Sequence, residues 1–167
     1  IQHFGLSEIL TYGAFSYPIT FLLTDLANRA YGKLVARKIV YVGFTIGVLL
    51  TLFVSTNFSD TISIRIAIGS GVAFFIAQNL DVQIFDSLRK KTWYIAPLTS
   101  SILGSITDTF LFFSIAFYGT GVPWITLAFG DLAVKLFIAL AMLIPFRLLI
   151  EKIKDFSDST SASRAKN

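Results

Sequence analysis

Four acids lie inside stretches of this sequence that are otherwise apolar, each with a polar or basic companion at or near helical spacing. Asp25 precedes Arg29 by four residues, the separation at which a carboxylate and a guanidinium share one helix face. Gln78 and Asp81 are three apart, with Asn79 beside them. Asp108 ends a four-residue stripe through Ser100 and Gly104, next to a second stripe of Ser101, Ser105 and Thr109. Asp131 and Lys135 repeat the acid-then-base spacing. An acid at the centre of a membrane helix costs about 2.5 to 3.5 kcal/mol on insertion scales, so four of them call for a reason. One reading is that they satisfy one another, Asp25 with Arg29 and Asp131 with Lys135, to fix helix order. That leaves Asp81 and Asp108 without a local partner, and a polar central cavity is preferred on that ground. Carboxylates on a cavity wall accept hydrogen bonds from ring N–H and exocyclic amine groups, and Phe and Tyr faces stack on flat rings. This chemistry suits a small polar aromatic ligand without naming one.

The elements that must position these groups follow from composition. Of 167 residues, 54% are hydrophobic and only 14% charged, where soluble domains run at roughly 25% charged. Mean hydropathy is +0.72. Together with 17 Phe and long apolar runs, this predicts an integral membrane protein with helical spans, because barrel strands would alternate in stretches of about ten residues. The expected fold is all-α, a polytopic membrane helix bundle with five transmembrane helices. They are placed at about residues 8–29, interrupted at Pro18, and at 35–56, 64–86, 95–118 and 124–148. Residues 1–155 form the bundle, and 156–167, rich in Ser, Ala and Thr, read as a disordered cytoplasmic tail. Gly43 and Gly47 form a GxxxG, expected to let another helix approach closely.

Lys and Arg alternate loop by loop. Lys33, Arg37 and Lys38 follow the first span, Arg89, Lys90 and Lys91 the third, and Arg147, Lys152 and Lys154 the fifth, whereas 57–63 and 119–124 hold none. The positive-inside rule therefore puts the exits of spans one, three and five in the cytoplasm, with Trp93 and Tyr94 in the aromatic belt. The N-terminus falls outside, and since the chain opens at Ile1 without Met, a further upstream span is expected. By helical rise, Asp25 and Asp81 lie about 5 to 10 Å from the cytoplasmic boundary, Asp108 past the middle and Asp131 about 10 Å from the outer boundary. The net charge of +4 belongs to these helix ends, so no nucleic-acid footprint is read from it. No Cys is present and the one His, His3, is terminal, so neither metal nor cofactor is expected.

With these motifs in view, the sequence resembles the queuosine precursor transporter family, importers of 7-cyano-7-deazaguanine and 7-aminomethyl-7-deazaguanine. The resemblance rests on GAFSYPITFLLTDLANRAYGKLVARK, AQNLDVQIFDSLRK, WYIAPLTSSILGSITDTFLFFSIAFYG and the Asp131 and Lys135 pair, which cover most of the chain in the family's order. It implies a six-helix protein of the bacterial inner membrane, matched here from the second helix onward, that takes up a modified-base precursor for tRNA. Asp25, Gln78, Asp81, Asp108, Asp131 and Lys135 lie within the matching motifs. In the expected site Asp81 or Asp108 takes the donors of the deazaguanine, Gln78 or Asn79 serves its carbonyl, and Phe74, Phe85 or Phe112 stacks on the ring. The partners are then this heterocycle and the lipid bilayer, with monomer or homodimer left open.

The alternative is the substrate-binding subunit of an energy-coupling-factor importer, which would need separate ATPase subunits because the chain has no GxxxxGK[ST] loop. An intramembrane aspartyl protease would use two acids sharing a proton, but position 128 is Ala, so the GxGD expected before Asp131 is absent. A purely structural subunit is the remaining class. Asp25-Leu26-Ala27 with Arg29 and Asp131-Leu132-Ala133 with Lys135 also match as a short parallel repeat.

Overall fold

The structure, a computed structural model, describes the backbone of residues 6–164 and the side chains of 19–54 and 56–152. His3 and the side chains of 156–167 lie outside that set. Five α-helices follow one another: α1 (Leu6–Tyr31), α2 (Lys33–Leu50), α3 (Thr61–Leu88), α4 (Ile95–Phe117) and α5 (Trp124–Arg164). A π turn, Thr51–Ser55, ends α2, and no strand occurs among the described residues. Four stretches are long and apolar enough to cross a membrane: Lys33–Val54, Thr61–Leu88, Ile95–Phe117 and Trp124–Lys152. The chain is a multi-pass membrane protein, and α1 packs within the same bundle against all four of the others. Helices are the outcome because lipid supplies no partner for a free N–H or C=O, and a helix satisfies its own.

The interruption expected at Pro18 is absent, since α1 runs unbroken from Leu6 to Tyr31. A proline inside a helix removes one amide donor and crowds one carbonyl, and where the remaining turns are intact the helix continues. The break falls at Gly32 instead. Its φ of 86° is the left-handed conformation that glycine reaches without a Cβ clash, and its N–H still bonds the Asn28 carbonyl at 2.9 Å. Lys33, Arg37 and Lys38 therefore sit in the opening turns of α2, not in a loop. The helix α5 continues to Arg164, over the stretch that composition assigns to a tail.

Helix ends use side chains to finish their backbone bonding. The Asp60 carboxylate accepts from the Ile62 and Ser63 amides at the start of α3. Arg65 donates to the carbonyls of Ile115 at 3.0 Å and Tyr118 at 2.8 Å, closing the end of α4.

The most extensive helix–helix contact is between α3 and α4. A Cβ on Gly69 would stand 3.3 Å from the Phe112 carbonyl oxygen, and one on Gly104 would stand 3.0 Å from the Phe21 ring. The GxxxG of α2 is different. Nothing lies within 4 Å of where a Cβ on Gly43 or Gly47 would be, so neither glycine makes a close helix contact among the described residues. The spacing of two glycines makes close approach sterically available, but which glycines are used depends on the neighbouring helices.

Gly69→Leu should accordingly destabilise the protein by about 1 to 3 kcal/mol through overpacking, read as a lowered Tm in detergent. Gly43→Leu should leave Tm unchanged. Equal losses for the two would show that the α2 face is also packed against a helix in the membrane.

Candidate functional site

Two buried polar clusters divide the acids between them. The first lies where α1, α3 and α4 meet. Asp25, Asp81 and Ser100 are almost wholly buried, the two carboxyls lie within hydrogen-bonding range of each other, and the Ser100 hydroxyl is directed at Asp25. The Ser100 hydroxyl is 3.5 Å from Asp25 Oδ1 and 3.3 Å from the Pro97 carbonyl. Neither Asp81 oxygen accepts from a placed donor.

The same α1–α3 seam carries neutral links on either side of the carboxyls. Thr24 Oγ1 meets Gln78 Oε1 at 3.2 Å, and Gln78 Nε2 donates to Thr20 Oγ1 at 3.2 Å. Asn28 Nδ2 donates to the Val82 carbonyl at 3.0 Å. Thr20, Thr24 and Asn28 recur every four residues, which puts them on one α1 face. The expected Asp25–Arg29 ion pair does not form among the described residues. The Arg29 guanidinium donates instead to the Arg89 carbonyl and lies 5.9 Å from the Phe85 ring centroid. It finds its partner at the end of α3 because the Asp25 side chain is turned toward Asp81.

The second cluster joins α4 to α5. Lys135 Nζ lies 2.5 Å from Asp131 Oδ2 and 2.8 Å from Asp108 Oδ2. Thr109 completes it, 3.2 Å from the ammonium and donating to Asp131 at 2.9 Å. The pairing of Asp131 with Lys135 is as spacing predicts. Asp108 is not the lone acid that local spacing suggests, because its partner arrives from another helix, 27 positions along the chain.

Between the clusters lies a void bounded by α1, α4 and α5. Its wall includes Phe21, Asp25, Ser101, Ser105, Lys135 and Phe146, and its volume is about 20 Å³. A space of that size holds about one water. Ser100 and Asp108, which mark the two clusters, are eight residues apart on α4, about 12 Å at 1.5 Å per residue, and the serines line the interval. The open cavity expected around the acids is therefore not present among the described residues. A larger groove of about 800 Å³ lies between α2 and α3, lined by apolar groups such as Phe44, Ile68, Phe74 and Phe75, with none of the acids.

The expected site residues are thus dispersed. Asp25 and Lys135 line the void, Asp81 stands behind Asp25, and Asp108 and Asp131 hold Lys135. Gln78 is engaged by threonines of α1. Asn79 bonds the Phe75 carbonyl of its own helix at 2.8 Å. Phe74 faces the apolar groove, Phe85 packs edge-on against Phe146, and Phe112 packs against Phe113 and Phe117 near the other end of α4. Among the described residues the aromatic rings on the void are Phe21 and Phe146, which spacing could have found. Phe21 is one turn before Asp25, and Phe146 falls on the Lys135 face after Ala139 and Met142, all at helical intervals.

Comparison with known proteins agrees with this architecture. Residues 11–150 match the family described as putative vitamin uptake transporter. The chain is 39% identical over 154 residues to a probable queuosine precursor transporter of Haemophilus influenzae, covering 81% of this chain and 66% of that one. It is 30% identical over 172 residues to the queuosine precursor transporter of Escherichia coli, covering 89% and 78%. A probable queuosine precursor transporter of Bacillus subtilis is 31% identical over 140 residues, covering 71% and 60%. The chain spans slightly less than two thirds of the Haemophilus relative's length. No solved structure matches. A helical membrane bundle with polar clusters buried between its helices, matched over most of its length by these transporters, belongs to the putative vitamin uptake transporter family, that of the queuosine precursor transporters.

Proposed function

We propose that this protein imports a queuosine precursor, 7-cyano-7-deazaguanine or 7-aminomethyl-7-deazaguanine, across the bacterial inner membrane, and that the void between α1, α4 and α5 is the closed form of its substrate site. The observation that carries the reading is the composition of that void's wall. Asp25, two serine hydroxyls, Lys135 and two phenylalanine rings surround one buried space, and the relatives bear the name of queuosine precursor transporters. A deazaguanine presents adjacent N–H and NH₂ donors beside a carbonyl. A carboxylate accepts from the donors and hydroxyls donate to the carbonyl, so Asp25 serves the first edge and Ser101 with Ser105 the second. Phe21 and Phe146 cover the ring faces. Gln78 and Asn79, already bonded within the bundle, have no part in it.

A two-ring heterocycle is many times larger than one water, so binding requires α1 or α5 to move away from α4. Transporters of this kind work by exposing a midplane site to each side in turn, through rocking of one group of helices against the rest. In this reading the α3–α4 pair, which shares the most extensive contact, is the fixed part. Beside the void, α1 and α5 meet α4 through polar side chains, whose bonds can be exchanged for bonds to substrate at little net cost. The apolar groove on α2 and α3 offers a polar heterocycle nothing comparable.

Uptake of labelled 7-cyano-7-deazaguanine in a strain unable to make the precursor tests the reading, and transport independent of this gene would overturn it. In that assay Asp25→Asn and Ser105→Leu should each lower uptake at least tenfold with the protein present in the membrane at its normal level. Asn79→Ala should stay within twofold of wild type.

Lys135→Met removes the cation between two buried carboxylates, a loss worth about 3 to 5 kcal/mol. Membrane abundance and Tm should both fall, and adding Asp108→Asn should recover part of each, because one stranded charge is then gone.

A further inference from the structure

The family and its cargo leave open what drives accumulation. Asp25 and Asp81 approach each other from α1 and α3 at 2% and 0% exposure, with Ser100 of α4 as the third member. The charged and polar groups around them are few. On α1, Arg29 is bonded to the Arg89 carbonyl. On α3, Gln78 is bonded to Thr20 and Thr24, and Arg89 beyond the helix end is paired with Asp86 at 3.6 Å. From α2 the neighbours of Val82 are the apolar Ala36 and Val40. On α5, Lys135 lies across the void, held by Asp108 and Asp131. Among the described residues no cation forms a direct ion pair with either carboxyl, and Arg29, one turn along α1, acts on Asp25 only from a distance.

Two carboxyls within hydrogen-bonding range have only acceptor oxygens when both are ionised, and repel in a medium of low dielectric. One proton between them turns that repulsion into a short O–H···O bond. The orphaned oxygens of Asp81 are what such a proton would satisfy. Calcium or magnesium takes about six oxygens or more, which this three-residue cluster does not supply. The placement of Asp25 completes the argument. It is the one member of the pair on the wall of the void, so whatever enters the void meets one of the two carboxyls that share the buried proton.

We propose that Asp25 and Asp81 form a proton-carrying site that couples substrate import to inward proton movement, one proton per substrate. The inference rests on the transport reading given above. On the outward-facing side a carboxylate of the pair takes a proton from water, forming one O–H bond. With substrate bound against Asp25 the helices rearrange, and on the cytoplasmic side the same O–H bond breaks, returning the proton to water and the pair to its starting charge. Asp81, away from the void, is the acid that carries coupling without touching substrate.

The test uses the purified protein in liposomes and labelled 7-cyano-7-deazaguanine, whose neutrality keeps membrane voltage from driving it. With voltage clamped, a gradient of one pH unit, alkaline inside, should raise internal substrate about tenfold over external, the equivalent of about 1.4 kcal/mol. A protonophore should abolish the excess. Asp81→Asn should reduce the ratio to about one while preserving counterflow, the exchange of labelled for unlabelled substrate with no gradient. Wild-type counterflow without response to the pH gradient, or accumulation driven by a sodium gradient, overturns the proton site and leaves the transport reading standing. Absence of wild-type counterflow overturns both. The wild-type measurements decide the matter even if Asp81→Asn fails to fold.

Discussion

A polar side chain inside a bilayer has no water to turn to, and the arrangement of this bundle follows from where each such group finds a partner. Apolar contact alone would leave the helices nearly free to rotate and slide, since lipid tails are as apolar as the leucines they touch. Thr20 and Thr24 with Gln78, and Asn28 with the Val82 carbonyl, lock α1 to α3 in one register. Lys135 with Asp108, Asp131 and Thr109 does the same for α4 and α5. A shift of one residue along either seam would leave polar groups unpaired in hydrocarbon, charged ones at the Lys135 seam.

The two seams differ in kind. The Lys135 cluster has its own cation and fixes two helices by ionic bonds. The Asp25 and Asp81 cluster has no cation bonded directly to it among the described residues, and is held by neutral bonds on either side. One acid of each sort of environment reaches the same water-sized void, Asp25 directly and Asp108 through Lys135. Helix packing therefore leaves a single water-sized polar void between the two clusters, beside the glycine-mediated α3–α4 contact.

Much of the fold can be read directly from residue order. The apolar runs, the alternation of Lys and Arg between loops, and the intramembrane acids determine a multi-pass helical protein, because each reports a local transfer free energy that needs no knowledge of neighbours. Asp131 and Lys135 were legible for the same reason, being one turn apart on a single helix. Asp25 and Arg29 had the same spacing and did not pair. The Asp81 carboxyl on α3 and the Arg89 carbonyl at its end offered each of them another contact.

Tertiary structure alone decided which glycines are packed, which acids meet and how much room lies between them. Gly43 and Gly47 fit the packing motif, yet Gly69 and Gly104 make the close approaches. Asp108 finds its cation 27 positions away, and Asp25 finds a second carboxyl on α3. Spacing within a helix determines which side chains share a face. The rotation and register of each helix against its neighbours determine what that face meets, and those are set by the sum of contacts across several helices, which no single stretch of sequence contains.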